Sequence, residues 1–277
     1  MSSLKKMIMM GQQADNKEYP PYLCFEALED GFQTSFSGSG LKYSLDREVW
    51  ADLSANEQTP SINAGERIWF KGSVGINTTY PYDKGSFGAT KNFAASGKMT
   101  SIIYNDDIDR YMTAGEMSLA RLFRNNTKIV AVSDDFFTYD VYGFRSFFQC
   151  FANTSLPKAV IRISSVIPNS SSGPFQELFW FAAIREVEIL NENNINQLFD
   201  STFRGCTSLS VVKYLSNIAP SVPLTTNWML SVPATGSFII RDNVTFDPES
   251  FRGVNGIPEG WTVYTEGEWN NIKNGIS

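Results

Sequence analysis

Apolar and polar positions change rhythm along this chain. Between residues 22 and 73 they alternate. Phe32, Thr34 and Phe36 are set against Gln33 and Ser35, and Leu41, Tyr43 and Leu45 against Lys42, Ser44 and Asp46. Val49, Ala51 and Leu53 follow, then Ile68 and Phe70. A period of two sends successive side chains to opposite faces of a strand. Gly38-Ser39-Gly40, Asp46-Arg47 and Asn63-Ala64-Gly65 supply turns. Short strands at this spacing predict a small antiparallel β-sandwich.

Further on, a different unit recurs. A Phe is followed six positions later by an aliphatic residue and then by a β-branched run. The last copy is Phe203-Arg204-Gly205-Cys206-Thr207-Ser208-Leu209, leading into Val212. Earlier copies begin at Phe123, with Ile129 and Val132, and at Phe181, with Val187 and Leu190. The copy at Phe151 is one residue shorter and leads through Leu156 to Val160. The steps from Phe to Phe are 28, 30 and 22 residues. Four residues before each Phe stands an apolar partner: Leu119, Phe147, Leu178 (one residue out of register) and Phe199. That spacing predicts one face of a short helix. Lys128–Val132, Ala159–Ile163, Glu186–Leu190 and Val211–Leu215 predict strands. One such unit cannot bury its apolar face alone, and a stack can, so the period predicts a solenoid. The competing reading is an irregular α/β domain in which the Phe spacing is fortuitous.

The fold class that follows is mainly β with short helices (α+β). The expected domains are an extended arm (1–21), a β-sandwich (22–104), a degenerate solenoid of leucine-rich-repeat type (105–220) and a β-rich C-terminal cap (221–277). The arm is either a free terminus or a tether that orders against a partner. The stretch from Ser165 to Pro174 reads as a loop inserted on one solenoid face. Trp269 and Ile272 stand at helical spacing and predict a turn of helix closing the end.

Composition narrows the chemistry. A hydrophobic content of 42% against 19% charged residues allows a sizeable core over 277 residues. Net charge is −6, without basic clusters, which argues against nucleic acid as a partner. The chain contains no histidine, which removes Ser-His-Asp, Cys-His and imidazole-zinc chemistry. Cys24, Cys150 and Cys206 form no CxxC pattern and no paired framework. No run of about 20 apolar residues predicts membrane insertion. Met7-Ile8-Met9-Met10 is too short for the apolar core of an export signal.

Asn105-Asp106-Asp107-Ile108-Asp109 is the densest carboxylate cluster. It reads as a helix-capping turn or as an oxygen-rich calcium loop, although the glycine and distal glutamate of an EF-hand are missing. Asp134-Asp135 carries the same alternatives. Two acids facing a cleft would be needed for glycoside hydrolysis, and nothing in the sequence indicates the cleft. Neither catalytic residues nor cofactor or metal ligands are expected. Tyr80, Tyr82 and Trp180 are the candidate binding residues. Exposed Tyr80 and Tyr82 would stack on sugar rings, or would equally pack on the sheet.

The Phe203–Leu209 segment resembles the F-x-x-C-T-x-L repeat core of BspA-like leucine-rich-repeat-type surface proteins of gut Bacteroidota. Asn126 stands where that family has Cys. The stretch Leu41–Asp46, Trp50 and Ala64–Gly72 resemble the β-domain that precedes those repeats, as does Phe93–Tyr104. Asn227–Leu230, Gly236–Ile239 and Gly256–Val263 resemble the family's terminal module. The likeness spans roughly residues 22–265. Related modules occur in crAss-like bacteriophages of the same hosts.

The resemblance implies a non-enzymatic structural or adhesive protein. Without an export signal, the expectation is a bacteriophage virion component, a head or tail decoration or fibre, located on the extracellular particle. The arm would anchor it to other virion proteins, and self-association would suit a fibre. The repeat surface would meet the host or a host-surface glycan. The alternatives are a bacterial cell-surface adhesin or glycan-binding module, and a polysaccharide-cleaving enzyme.

Overall fold

The computed structural model describes residues 21–74, 85–107, 119–139, 147–163, 175–191, 199–217, 219 and 225–275. Apart from Pro21, the expected arm lies outside the described residues, as does the loop from Ser165 to Pro174. The described chain is mainly β, with few short helices and a β-solenoid-like region.

Strands β1 (Leu23–Ala27), β2 (Thr34–Phe36), β3 (Leu41–Ser44), β4 (Ala51–Leu53), β5 (Arg67–Gly72), β6 (Phe87–Ala89), β7 (Phe93–Ser96) and β8 (Ile129–Val132) build the N-terminal part. Six of them form one sheet in the order β4-β3-β5-β1-β7-β8, and β2 pairs with β6 in a separate antiparallel ribbon. Alternation sets the faces. In β5, Ile68 and Phe70 are buried while Arg67, Trp69 and Lys71 are half-buried. Phe25 lies where sheet and ribbon meet. Its ring centroid is 4.8 Å from those of Phe70 and Phe87 and 4.6 Å from that of Phe93. Helix α1 (Ser101–Tyr104) then docks on this sheet through the Ser101 hydroxyl. That hydroxyl donates to the Phe70 carbonyl at 2.8 Å and accepts from the Leu23 amide at 3.0 Å.

The second sheet holds β9 (Phe137–Tyr139), β10 (Lys158–Ile163), β11 (Glu186–Asn191), β12 (Val211–Ser216), β13 (Gly236–Ile240) and β14 (Trp261–Thr265). The strands stand in chain order and every pairing is parallel. The register aligns Ala159, Val187, Val212 and Phe238 in one inward column and Ile161, Ile189, Tyr214 and Ile240 in another. All eight are buried. The predicted β-branched runs are thus β8, β10, β11 and β12. The first of them, β8, pairs with β7 of the N-terminal sheet and not with its successors.

The opposite wall corrects the expected helices. Residues 119–126, 147–154, 175–182, 199–206 and 225–232 form linked β-turns. In the first, the amides of Leu122, Arg124 and Asn126 donate to the carbonyls three residues back. The intervening amides of Arg121, Phe123 and Asn125 donate to Phe148, Cys150 and Ala152 in the next coil, each at 2.9 Å. The same alternation continues to Gly205, which donates to Leu230. A helix would keep these amides to itself. Here half of them bind the neighbouring coil, so the wall is a ladder like the sheet it faces.

Residues with positive φ recur every four positions in this ladder: Arg121 and Asn125, Gln149 and Asn153, Glu177 and Phe181, Ser201 and Gly205, Asn227 and Ser231. Positive φ at the third position of a turn is the type II signature. The backbone therefore repeats every four residues, which over so short a stretch has the same i, i+4 spacing as a helix.

Between the two walls run aromatic columns. Phe123, Phe151, Phe179 and Phe203 follow one another with centroids 4.9, 6.0 and 6.0 Å apart. Phe147, Phe175 and Phe199 stack beside them at 5.5 and 5.8 Å, within 15° of parallel. The third copy is therefore anchored by Phe179, fully buried, and not by Phe181, which is 52% exposed. With Phe179 as anchor the steps become 28, 28 and 24 residues, and Phe175 removes the apparent slip at Leu178. Each such buried ring contributes roughly 1.5–3 kcal/mol from burial alone.

Both ends are closed by the chain. At the N-terminal end β8, the strand that follows the first coil, pairs with β7 of the N-terminal sheet, and the Phe87 amide of β6 donates to Leu122 of the turn wall at 2.8 Å. At the other end the Trp228 indole donates to the Gly256 carbonyl at 2.9 Å, and Trp261 to Pro233 at 2.8 Å. Helix α2 (Glu266–Lys273) follows β14, two turns long where one was expected. Thr265 and Glu268 form its capping box, satisfying two end amides reciprocally.

Candidate functional site

Each wall presents outward side chains in columns, and the two differ in charge balance. On the strand wall, Lys158 Nζ lies 3.1 Å from Glu186, and Lys213 Nζ lies 3.3 Å from Glu186 and 3.0 Å from Glu188. Burial alone would raise the Glu186 pKa, but the hydrogen bonds and charges of Lys158 and Lys213 outweigh it and hold the carboxyl below its ordinary value. This row neutralises itself and reads as structural.

The turn wall is polar at its centre. Arg121 Nε donates to Gln149 at 3.1 Å, and Gln149 Nε2 donates to Glu177 at 2.6 Å, so three coils share one side-chain ladder. Beside it, Asn153 Nδ2 donates to Asn125 Oδ1 at 2.9 Å. In the next coil Trp180 and Phe181 occupy the outward positions, with centroids 5.1 Å apart. Arg204 follows Trp180 in the same column, with the Phe181 amide donating to its carbonyl at 3.0 Å. The Cβ of any residue replacing Gly205 would come within 2.5 Å of the Phe181 ring, so glycine lets that ring lie over the adjacent coil.

Where the turn wall meets the β2–β6 ribbon there is a cleft of about 440 Å³. Ser35, Ser37, Asn56 and Ser86 line it from the N-terminal part, and Arg124, Asn125, Asn126, Thr127 and Lys128 from the first coil. Asn126 is buried and fixed at both ends. Its Nδ2 donates to the Phe87 carbonyl at 3.0 Å, and its Oδ1 accepts from the Lys128 amide at 3.0 Å. It occupies the small inward position that Cys206 fills in the fourth coil, where Sγ donates to the Phe179 carbonyl at 2.9 Å. Among the described residues, the lining carries two cationic side chains and no carboxylate. Arg124 Nε is buried without a hydrogen-bond partner among the described residues.

Among the predicted binding residues, Tyr80 and Tyr82 lie outside the described residues. Trp180 is half-buried, with its Nε1 buried and unpartnered. The exposed ring of that patch belongs to Phe181, which sequence reasoning placed in the core. Arg124 and Lys128 were also missed, because nothing in the sequence shows that the β2–β6 ribbon closes a cleft over them.

In the carboxylate cluster, Asp106 has a local role. It accepts from the Tyr22 hydroxyl at 2.6 Å and from Lys71 at 2.9 Å. The Tyr22 and Lys71 hydrogen bonds hold its carboxyl below the ordinary value. Lys71 also lies 4.5 Å from the centroid of the Trp50 ring, so β5 is joined here to Tyr22 before β1, Trp50 before β4 and Asp106 after α1. Among the described residues no group of three or more acidic, Cys or His side chains could hold a metal, and no helix is long and apolar enough to cross a membrane. In comparisons with family models, curated proteins and solved structures, nothing matches this chain.

Proposed function

We propose that this chain is a structural, non-enzymatic protein of a bacteriophage particle, a head or tail decoration or fibre. In this reading the N-terminal part is a β-sandwich and the repeats are of the leucine-rich, BspA-like type suggested by Phe203–Leu209. The first 21 residues anchor the chain to other virion proteins, and copies of the chain associate with one another. The turn wall faces outward and contacts the host surface or its glycans.

The observation that supports this best is the turn wall itself. Five coils hold their outward side chains in straight columns on a backbone ladder, with a strand wall behind and chain closing both ends. Such a build spends its residues on stiffness and display.

Peptide mass spectrometry of gradient-purified particles and of outer membranes from one producing culture tests the reading. Peptides at fixed stoichiometry in the particle band are expected, with loss of incorporation when residues 1–20 are deleted. Peptides confined to the outer membrane would overturn it in favour of a cell-surface adhesin.

A further inference from the structure

We infer that the turn wall carries a binding site for an acidic oligosaccharide, running from the Arg124/Lys128 cleft to the Phe181 ring. The inference deepens the display half of the function proposed above and rests on that half alone. It holds equally for a particle or a cell surface.

The cleft supplies the charge. Its lining offers hydroxyls and amides, which suit sugar hydroxyls, together with two cations and no carboxylate to balance them. A cleft of one sign focuses its field on a counter-ion. Arg124 Nε has no hydrogen-bond acceptor among the described residues. The strand wall offers no such site, because its lysines are already paired with Glu186 and Glu188.

Phe181 supplies the platform. The same position in the other coils holds Asn125, Asn153, Gly205 and Ser231. Those are turn residues suited to positive φ, whereas a bulky ring at φ 54° is strained. The ring is also half exposed. A residue that costs both backbone strain and exposed apolar surface is explained by a contact outside the chain. Phe181 stands two coils from Asn125, roughly 10 Å at the usual inter-strand spacing. Asn153 lies between them. A short oligosaccharide spans that distance, with its charged unit in the cleft and a later ring on Phe181. Arg204, beyond the aromatic pair in the same column, offers a third cation to the same saccharide.

Titration calorimetry on the full chain tests this. The probes are an oligogalacturonide trisaccharide, its methyl-esterified form, a sulfated chondroitin tetrasaccharide, a sialylated trisaccharide and a thymidine oligonucleotide. At least one acidic saccharide is expected to bind. Where the oligogalacturonide binds, its ester is expected to bind roughly tenfold more weakly or worse, the size of one lost charge-assisted contact. The double variant Arg124→Gln, Lys128→Gln should lose a similar factor for the acidic ligand and abolish its preference over neutral ones. Phe181→Ala should weaken acidic and neutral ligands alike, by roughly tenfold, with only a small fall in thermal midpoint. Which acidic probe binds distinguishes carboxylate from sulfate. The site is overturned if no acidic saccharide binds, if ester and acid bind alike, or if the cleft variant binds as the wild type does. Tighter binding of the oligonucleotide would assign the cleft to a phosphate chain instead. None of these outcomes bears on where the chain resides, which the particle proteomics decides separately.

Discussion

Replacing Phe179 by Ala and, separately, Phe181 by Ala tests the register of the third coil. The residues are two apart and share a side-chain type, yet the structure gives them opposite fates. Phe179 is fully buried, with its ring parallel to that of Phe203 within 7° at 6.0 Å and edge-on to that of Phe137 at 5.8 Å. Truncating such a ring removes its transfer free energy and leaves a cavity between two rigid ladders, a loss of about 3–5 kcal/mol. Phe181 is 52% exposed. Its backbone strain is shared by Ala, so its removal should cost no more than about 1 kcal/mol. In urea, with a slope of about 3 kcal/mol per molar, Phe179→Ala should lower the midpoint by roughly 1–1.7 M and Phe181→Ala by a few tenths. Because repeat arrays can open coil by coil, hydrogen exchange should be read alongside. The amides of residues 175–182 should lose most protection in Phe179→Ala. Equal losses in the two variants, or a Phe179→Ala cost under about 1 kcal/mol, would refute the aromatic column.

Further outcomes follow from the same structure. Cys24, Cys150 and Cys206 are all buried, and burial pushes Cys24 and Cys206 up to about 12 and Cys150 upward as well. Labelling with a thiol-reactive disulfide at pH 8 should therefore be slower in the native protein than in urea by about three orders of magnitude, and one fast native thiol would contradict this. The depressed Asp106 carboxyl stabilises the fold above its unfolded pKa and loses that contribution as pH falls through the lower native value. Asp106→Asn should accordingly flatten the stability-against-pH curve below about pH 4, measured by urea midpoints; an unchanged slope would count against the Tyr22–Asp106–Lys71 contact. Gly236 stands opposite Trp261, and an added Cβ would come within 2.6 Å of the indole. Gly236→Ala should cost about 1–3 kcal/mol by overpacking and shift tryptophan emission, and an unaltered thermal midpoint would show that the indole has room.

Local sequence determined the strands. Alternation in Arg67–Gly72 and the β-branched runs at 158–163, 186–191 and 211–216 state their pairing faces directly, because a strand's period of two depends on nothing but the chain itself. The same holds for Thr265 and Glu268, whose capping box lies within one turn. Tertiary structure decided the rest. Whether Leu119 and Phe123 sit on a helix or on linked turns depends on where alternate amides find acceptors, and those acceptors, Phe148 and Cys150, belong to another coil. The choice of Phe179 over Phe181 was equally closed to the sequence, since the preference comes from rings 24 and 28 residues away. The cleft joins Ser35 and Ser86 to Arg124 and Lys128. No local pattern encodes that meeting, because it is made when β6 meets the first coil, through the Phe87 amide on Leu122, and brings three distant stretches to one edge.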